Sequence, residues 1–177
     1  MRGRAVGPVF LVAALLPALT TFVHDDHLQV TGAESSSEAL GITGPMTAEQ
    51  PVGTVGVTSV CSEQGAVPTI RSVEPLGRDD TLEVLRFTIV PTDADEGMEG
   101  FVRKPADDQG PIRHRVTTSC AEIGSRTSWL YVEIARPTTA TASFHGLRIT
   151  SGTGRRHDVD FSLTVCRDRC PEGAEDL

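Results

Sequence analysis

The chain of 177 residues contains no asparagine, one lysine (Lys104) beside fifteen arginines, one tryptophan and one tyrosine. Without asparagine there is no N-x-[ST] acceptor, so N-linked glycosylation is excluded. Aromatic residues make up only 5% of the chain, so packing must rest on Val, Ile, Leu and Thr. The β-branched members of that set are stiff at χ1 and suit the pleated surface of a strand. The shortage of lysine and asparagine, whose codons are AT-rich, marks a GC-rich coding sequence and carries no functional meaning. Signature motifs are missing too. No phosphate-binding P-loop, dinucleotide G-x-G-x-x-G, zinc-protease H-E-x-x-H or nucleophile-elbow G-x-S-x-G occurs. No motif is specific enough to place the chain in a family.

Long hydrophobic runs are scarce. One apolar stretch stands out, residues 6–16, preceded by Arg2 and Arg4 and followed by Pro17 and small residues at Ala18, Thr20 and Thr21. A positive start, a short apolar core and small residues after it form the layout of a secretory signal peptide over residues 1–21. The stretch is too short to span a bilayer comfortably. The C-terminus is polar, so no membrane insertion of the mature chain is expected, and the expected location is secreted or extracellular.

The formal charge is −8, and loss of Arg2 and Arg4 makes the mature chain more negative still. An acidic protein repels phosphate backbones and anionic headgroups, so nucleic acid and membrane surfaces are poor partners. A cationic extracellular protein is the easier one.

Four cysteines, Cys61, Cys120, Cys166 and Cys170, follow the signal segment. An even count in an exported chain implies two disulfides, with three possible connectivities. The short Cys166/Cys170 spacing favours a local bridge and leaves Cys61 for Cys120. A Cys61–Cys170 pairing, tying the first strand to the chain end, is the alternative. A zinc site would want paired C-x2-C knuckles, which are absent.

Residues 22–51, rich in Ser, Thr, Gly and Glu, read as a flexible polar arm that offers hydroxyls for O-glycosylation. Beyond it, apolar runs recur every ten residues or so. Strands are expected over 52–60, 67–73, 81–90, 100–103, 112–118, 128–136, 139–150 and 158–166, with a short helix near 120–125. In the last strand Val159, Phe161, Leu163 and Val165 alternate with polar residues, the mark of one buried and one wet face. In the 81–90 run the apolar phase switches from Leu82 and Val84 to Leu85, Phe87 and Ile89, which predicts a β-bulge or a strand buried on both faces. Turn-rich stretches at 76–80, 107–111 and 151–154 separate the runs. No window shows a sustained helical period. The fold expected is all-β: a two-layer antiparallel sandwich or jelly roll of about 7–8 strands over 52–170, closed by disulfides, with an acidic tail over 171–177.

Three groups of residues offer chemistry. Asp93, Asp95, Glu96 and Glu99 crowd carboxylates into one loop, as calcium requires, although the spacing is not an EF-hand; calcium is therefore the one cofactor considered, and a solvated acidic loop is the simpler reading. His24 and His27 flank two aspartates; a mature chain starting at Phe22 would place His24 third, where an amino-terminal square-planar copper or nickel site forms. Trp129, Tyr131 and Glu133 share one face of a strand and form a ligand-binding candidate, as a sugar-stacking platform or protein hot spot if exposed and as core if covered. His114, His145 and His157 lie in or beside strands without a recognisable catalytic partner. These features point to a secreted, non-enzymatic binding protein that captures an extracellular partner, such as a basic protein, as an effector, decoy or surface antigen. The alternatives are a carbohydrate-binding jelly roll that takes a glycan through Trp129 and Tyr131, and a secreted hydrolase.

Overall fold

The structure is a computed structural model that describes residues 27–30, 40–76, 82–93, 101–102, 105–123 and 125–170. The expected signal segment 1–21 and acidic tail 171–177 lie outside these residues. Among the described residues nine strands run in the order β1 (Leu28–Val30), β2 (Leu40–Met46), β3 (Val52–Ser62), β4 (Ile70–Pro75), β5 (Val84–Asp93), β6 (Phe101–Val102), β7 (Arg126–Ala135), β8 (Thr141–Ser151) and β9 (Arg156–Arg167). Two single 3-10 turns, Ala106–Gln109 and Cys120–Glu122, are the helical elements among the described residues.

The strands form two sheets packed as a sandwich. The first runs β1-β3-β7-β5, with β6 also on β3; the second runs β2-β9-β8-β4. The all-β sandwich with two disulfides is therefore the observed fold. All strand pairs are antiparallel except β2 and β9, where Leu40 stands opposite Phe161 and Met46 opposite Arg167 in parallel register. A parallel pair needs a long connection, and here most of the chain lies between the two strands.

The core sits between the sheets. Leu130, Val132 and Ile134 of β7 face Phe144, Leu147 and Ile149 of β8 and Phe161, Leu163 and Val165 of β9, all essentially without solvent contact. Phe144 and Phe161 pack with ring centroids 6.2 Å apart. The alternation in β9 thus buries the apolar face that its period-2 pattern specifies. The phase switch in β5 corresponds to a bulge: register shifts between Val84 and Arg86, leaving Leu85 44% exposed and returning Phe87 and Ile89 to the core.

Both cysteine pairs form as the local spacing favours. Cys61–Cys120 and Cys166–Cys170 each have Cα atoms 4.9 Å apart, within the span of a relaxed disulfide.

Two expectations need correction. The segment 22–51 is not an arm throughout, because β1 and β2 fall inside it. Their apolar content is small, but Leu28 and Met46 are both buried, and each strand pairs with an edge already built by β3 or β9. Edge pairing supplies hydrogen bonds that composition does not reveal. The strand expected over 112–118 is instead an extended strap, held by a single antiparallel bridge between Thr69 and Arg115 and by scattered backbone bonds.

Candidate functional site

The strap is fixed along its length by main-chain hydrogen bonds to both sheets. Ile89 of β5 donates its N–H to the Arg113 carbonyl at 2.9 Å, and the Arg113 N–H reaches Thr88 Oγ1 at 3.0 Å. On the other side Ile70 of β4 donates to the His114 carbonyl at 2.8 Å, and Val116 donates to the Pro68 carbonyl at 2.9 Å. At its far end Ser62 of β3 donates to the Thr118 carbonyl at 2.9 Å, the Thr118 and Ser128 hydroxyls meet at 2.6 Å, and Cys120 is bonded to Cys61. The strap therefore closes the rim between β5, the edge of one sheet, and β4, the edge of the other.

Alternation along the strap decides which side chains face solvent. Val116 is buried in the core, and the His114 ring stacks on Phe87 with centroids 4.4 Å apart and planes 27° apart. Arg113, Arg115 and Thr117, on the opposite side of the extended chain, are all exposed, and His114 is exposed as well despite its stacking on Phe87. Thr69, Ile112, Arg113, His114, Arg115 and Thr117 line an open groove of about 510 Å³. Thr69 also borders a smaller hollow of about 230 Å³ shared with His27 and Val67. Ile112 and Val67, 39% and 53% exposed, put two apolar side chains on this rim. Among the described residues, neither Arg113 nor Arg115 takes an ion pair. Two guanidiniums without an acidic partner among the described residues stand out on one short strap in a chain of charge −8.

The Trp129 face of β7 points away from the second sheet, yet most of it is covered. Tyr131 and Glu133 are 3% and 4% exposed, and Trp129 is half-buried between Ser59 of β3 and Val90 of β5. The cover over Glu133 is the 3-10 turn: its carboxylate accepts the Ala106 N–H at 2.6 Å and Arg86 Nε at 2.8 Å, and Arg86 also reaches Asp107 at 3.0 Å. Glu133 thus sits beneath a latch, and of the three only Trp129 retains substantial solvent contact.

The acidic loop is described only at Asp93, which is exposed at the end of β5 opposite Arg126; Asp95, Glu96 and Glu99 lie outside the described residues. Among the described residues no three His, Cys, Asp or Glu side chains gather as metal ligands. His27 borders the smaller hollow, whereas His24 lies outside the described residues. His145 is exposed and its Nδ1 lies 2.9 Å from Ser162 Oγ across the β8–β9 pair. His157, half-buried, lies next to Asp158, whose carboxylate is gripped by Arg148 at 2.8 and 2.7 Å. That double hydrogen bond holds the Asp158 carboxyl below the usual aspartate range, outweighing the opposing effect of burial with help from the Arg148, Arg156 and His157 charges. The structure does not bring the three histidines together.

The sequence pattern predicts a strand over 112–118 and does not single out Arg113 and Arg115. The available signal was the Arg-His-Arg triplet between Ile112 and Val116, two like charges on one side of an extended segment in an acidic chain.

No protein-family model and no curated protein matches the sequence. Among solved structures, the chain is similar to a cohesin module from a Clostridium perfringens family 33 glycoside hydrolase, at 9% identity over 80% of this chain and 96% of that one, with a TM-score of 0.28. A superposition that loose says nothing of function.

Proposed function

We propose that the protein is an exported, non-enzymatic binding module that captures a macromolecular partner on the strap face. The observation that carries this reading is the pair of exposed arginines, Arg113 and Arg115, which take no ion pair among the described residues, on a segment whose backbone is bonded to both sheets. A rigid frame holding charged and apolar side chains at the surface lowers the ordering cost of binding. Export is supported by the signal-like residues 1–21 and by two disulfides, which persist in oxidising compartments. The overall charge favours a cationic partner, whereas the strap groove has the opposite sign, so the groove itself suits an anionic surface.

The test compares the mature wild-type chain with an Arg113→Glu/Arg115→Glu variant, both immobilised and exposed to extracellular proteins and to a glycan array. A binder retained by the wild type and lost by the variant supports the reading. A binder held equally by both puts docking elsewhere and overturns it.

A second reading rests on Trp129, the only tryptophan, which keeps part of its ring at the surface between two smaller side chains. The uncovered part of a half-buried indole offers a stacking surface for a sugar ring. Glycan binding that is lost in Trp129→Ala and kept in the double arginine variant favours this reading over the first.

A further inference from the structure

We infer that the groove beside the strap takes an extended acidic peptide whose carboxylates stand two residues apart; this rests on the strap face being the docking site. The geometry supplies the spacing. Arg113 and Arg115, two apart in an extended segment, lie on one side of it, while Val116 on the other side is buried between the sheets and His114, itself exposed, rests its ring on Phe87. Residues two apart in extended backbone are separated by about 6.6–6.8 Å. An extended ligand strand carrying Asp or Glu at alternate positions has the same repeat, so each carboxylate meets one guanidinium, the group best shaped to hold it.

The surroundings fit the rest of such a ligand. Thr69, directly opposite Arg115, and Thr117 place hydroxyls along the groove for polar contacts. Ile112 offers an exposed apolar flank for a hydrophobic residue beside the acidic pair. The charge balance limits the length of the anionic stretch. The groove attracts carboxylates locally, but a long polyanion would run onto the surface of a chain of charge −8. A short acidic motif gains the local attraction without that repulsion, which favours a peptide over a sulfated or phosphorylated polymer.

The experiment uses the disulfide-bonded mature chain and fluorescence anisotropy at low ionic strength. The probe is a labelled nonapeptide with aspartates at alternate positions. Its control has the same composition with the aspartates adjacent, and the rival is a sulfated oligosaccharide. The expected result is saturable binding of the alternating peptide, at least fivefold tighter than the control and weakened by salt. Arg113→Ala/Arg115→Ala should cost at least tenfold in affinity, and Arg126→Ala/Arg155→Ala, which removes two exposed charges elsewhere, should change it less than twofold. All these positions are exposed, and circular dichroism confirms that each variant is folded. No binding of the peptide, equal binding of both peptides, or equal losses in the two double variants overturns the inference. If the sulfated oligosaccharide binds through Arg113 and Arg115 while the peptide does not, the peptide inference falls and the strap remains the docking face. If capture of a partner is also indifferent to Arg113 and Arg115, both fall.

Discussion

Glu133 accepts the backbone N–H of Ala106 at 2.6 Å while its side chain is only 6% exposed. The same oxygen takes Arg86 Nε at 2.8 Å, so one carboxylate pins the 3-10 turn Ala106–Gln109 to the outer face of the first sheet. Hydrogen bonds to a charged group contribute more than neutral ones, and removing the acceptor strands a buried donor. Glu133→Ala is expected to lower stability by about 2–3 kcal/mol. Glu133→Gln keeps an acceptor for Ala106 and should cost less. Urea denaturation of the two variants checks the order; equal losses would mean that the Ala106 bond contributes nothing beyond the charge.

The two disulfides should differ in weight. In the chain-entropy model the benefit grows with the loop closed, here 59 residues of separation for Cys61–Cys120 and 4 for Cys166–Cys170. That gives about 4 kcal/mol for the first and about 2 kcal/mol for the second. Cys61→Ser/Cys120→Ser should therefore lose more in thermal midpoint than Cys166→Ser/Cys170→Ser. The first variant should also loosen the strap, since Cys120 anchors its far end. Hydrogen exchange at Val116 and Ile70 reports that loosening directly.

How much of this was legible in the sequence depended on whether the information was local. The strand β9 announced itself because Val159, Phe161, Leu163 and Val165 repeat with the period of a pleat, and the β5 bulge because Leu85 breaks that period. Strand β2 did not, because it contains Gly and Pro and is stabilised by β9, with Leu40 opposite Phe161. The buried Glu133 was hidden for a similar reason: nothing near it in sequence shows that the turn holding Ala106 folds over it. The strap arginines were visible as residues, but their lack of ion pairs among the described residues depends on where the acidic side chains of the fold come to rest.

Gly146 occupies a bulge in β8 with φ of +86°, opposite the end of β4. A side chain there is strained by the backbone alone, and a Cβ would lie 2.9 Å from Leu76 Cδ1 and 3.3 Å from the Val159 carbonyl. Leu76 also donates its N–H to the Gly146 carbonyl at 2.9 Å, so the leucine cannot retreat freely. Gly146→Ala is expected to cost about 1–3 kcal/mol. Gly65, at φ of +70° with nothing within 4 Å of a Cβ, should tolerate alanine better, because only the backbone is strained. Thermal denaturation of the pair separates strain from crowding; equal losses would show that Leu76 gives way at no cost.

Arg148 stands between Glu74 of β4 and Asp158 of β9 in one row across the outer face of the second sheet. Its double hydrogen bond to Asp158 holds that carboxyl below its ordinary value, with the Arg156 and His157 charges acting in the same direction. A lowered folded pKa means that the pairing stabilises fully above the unfolded aspartate pKa of about 3.9 and is lost as pH falls through the lower folded value. Both side chains are well exposed, so salt should weaken the effect. A carbon-detected NMR titration should show Asp158 titrating below the usual aspartate range, and Arg148→Ala should return it upward. Salt at about 1 M should move it part of the way, because screening at that concentration acts over only about 3 Å. If Asp158 titrates normally in the wild type, the Arg148 grip is absent in solution, and the row contributes nothing to stability in acid.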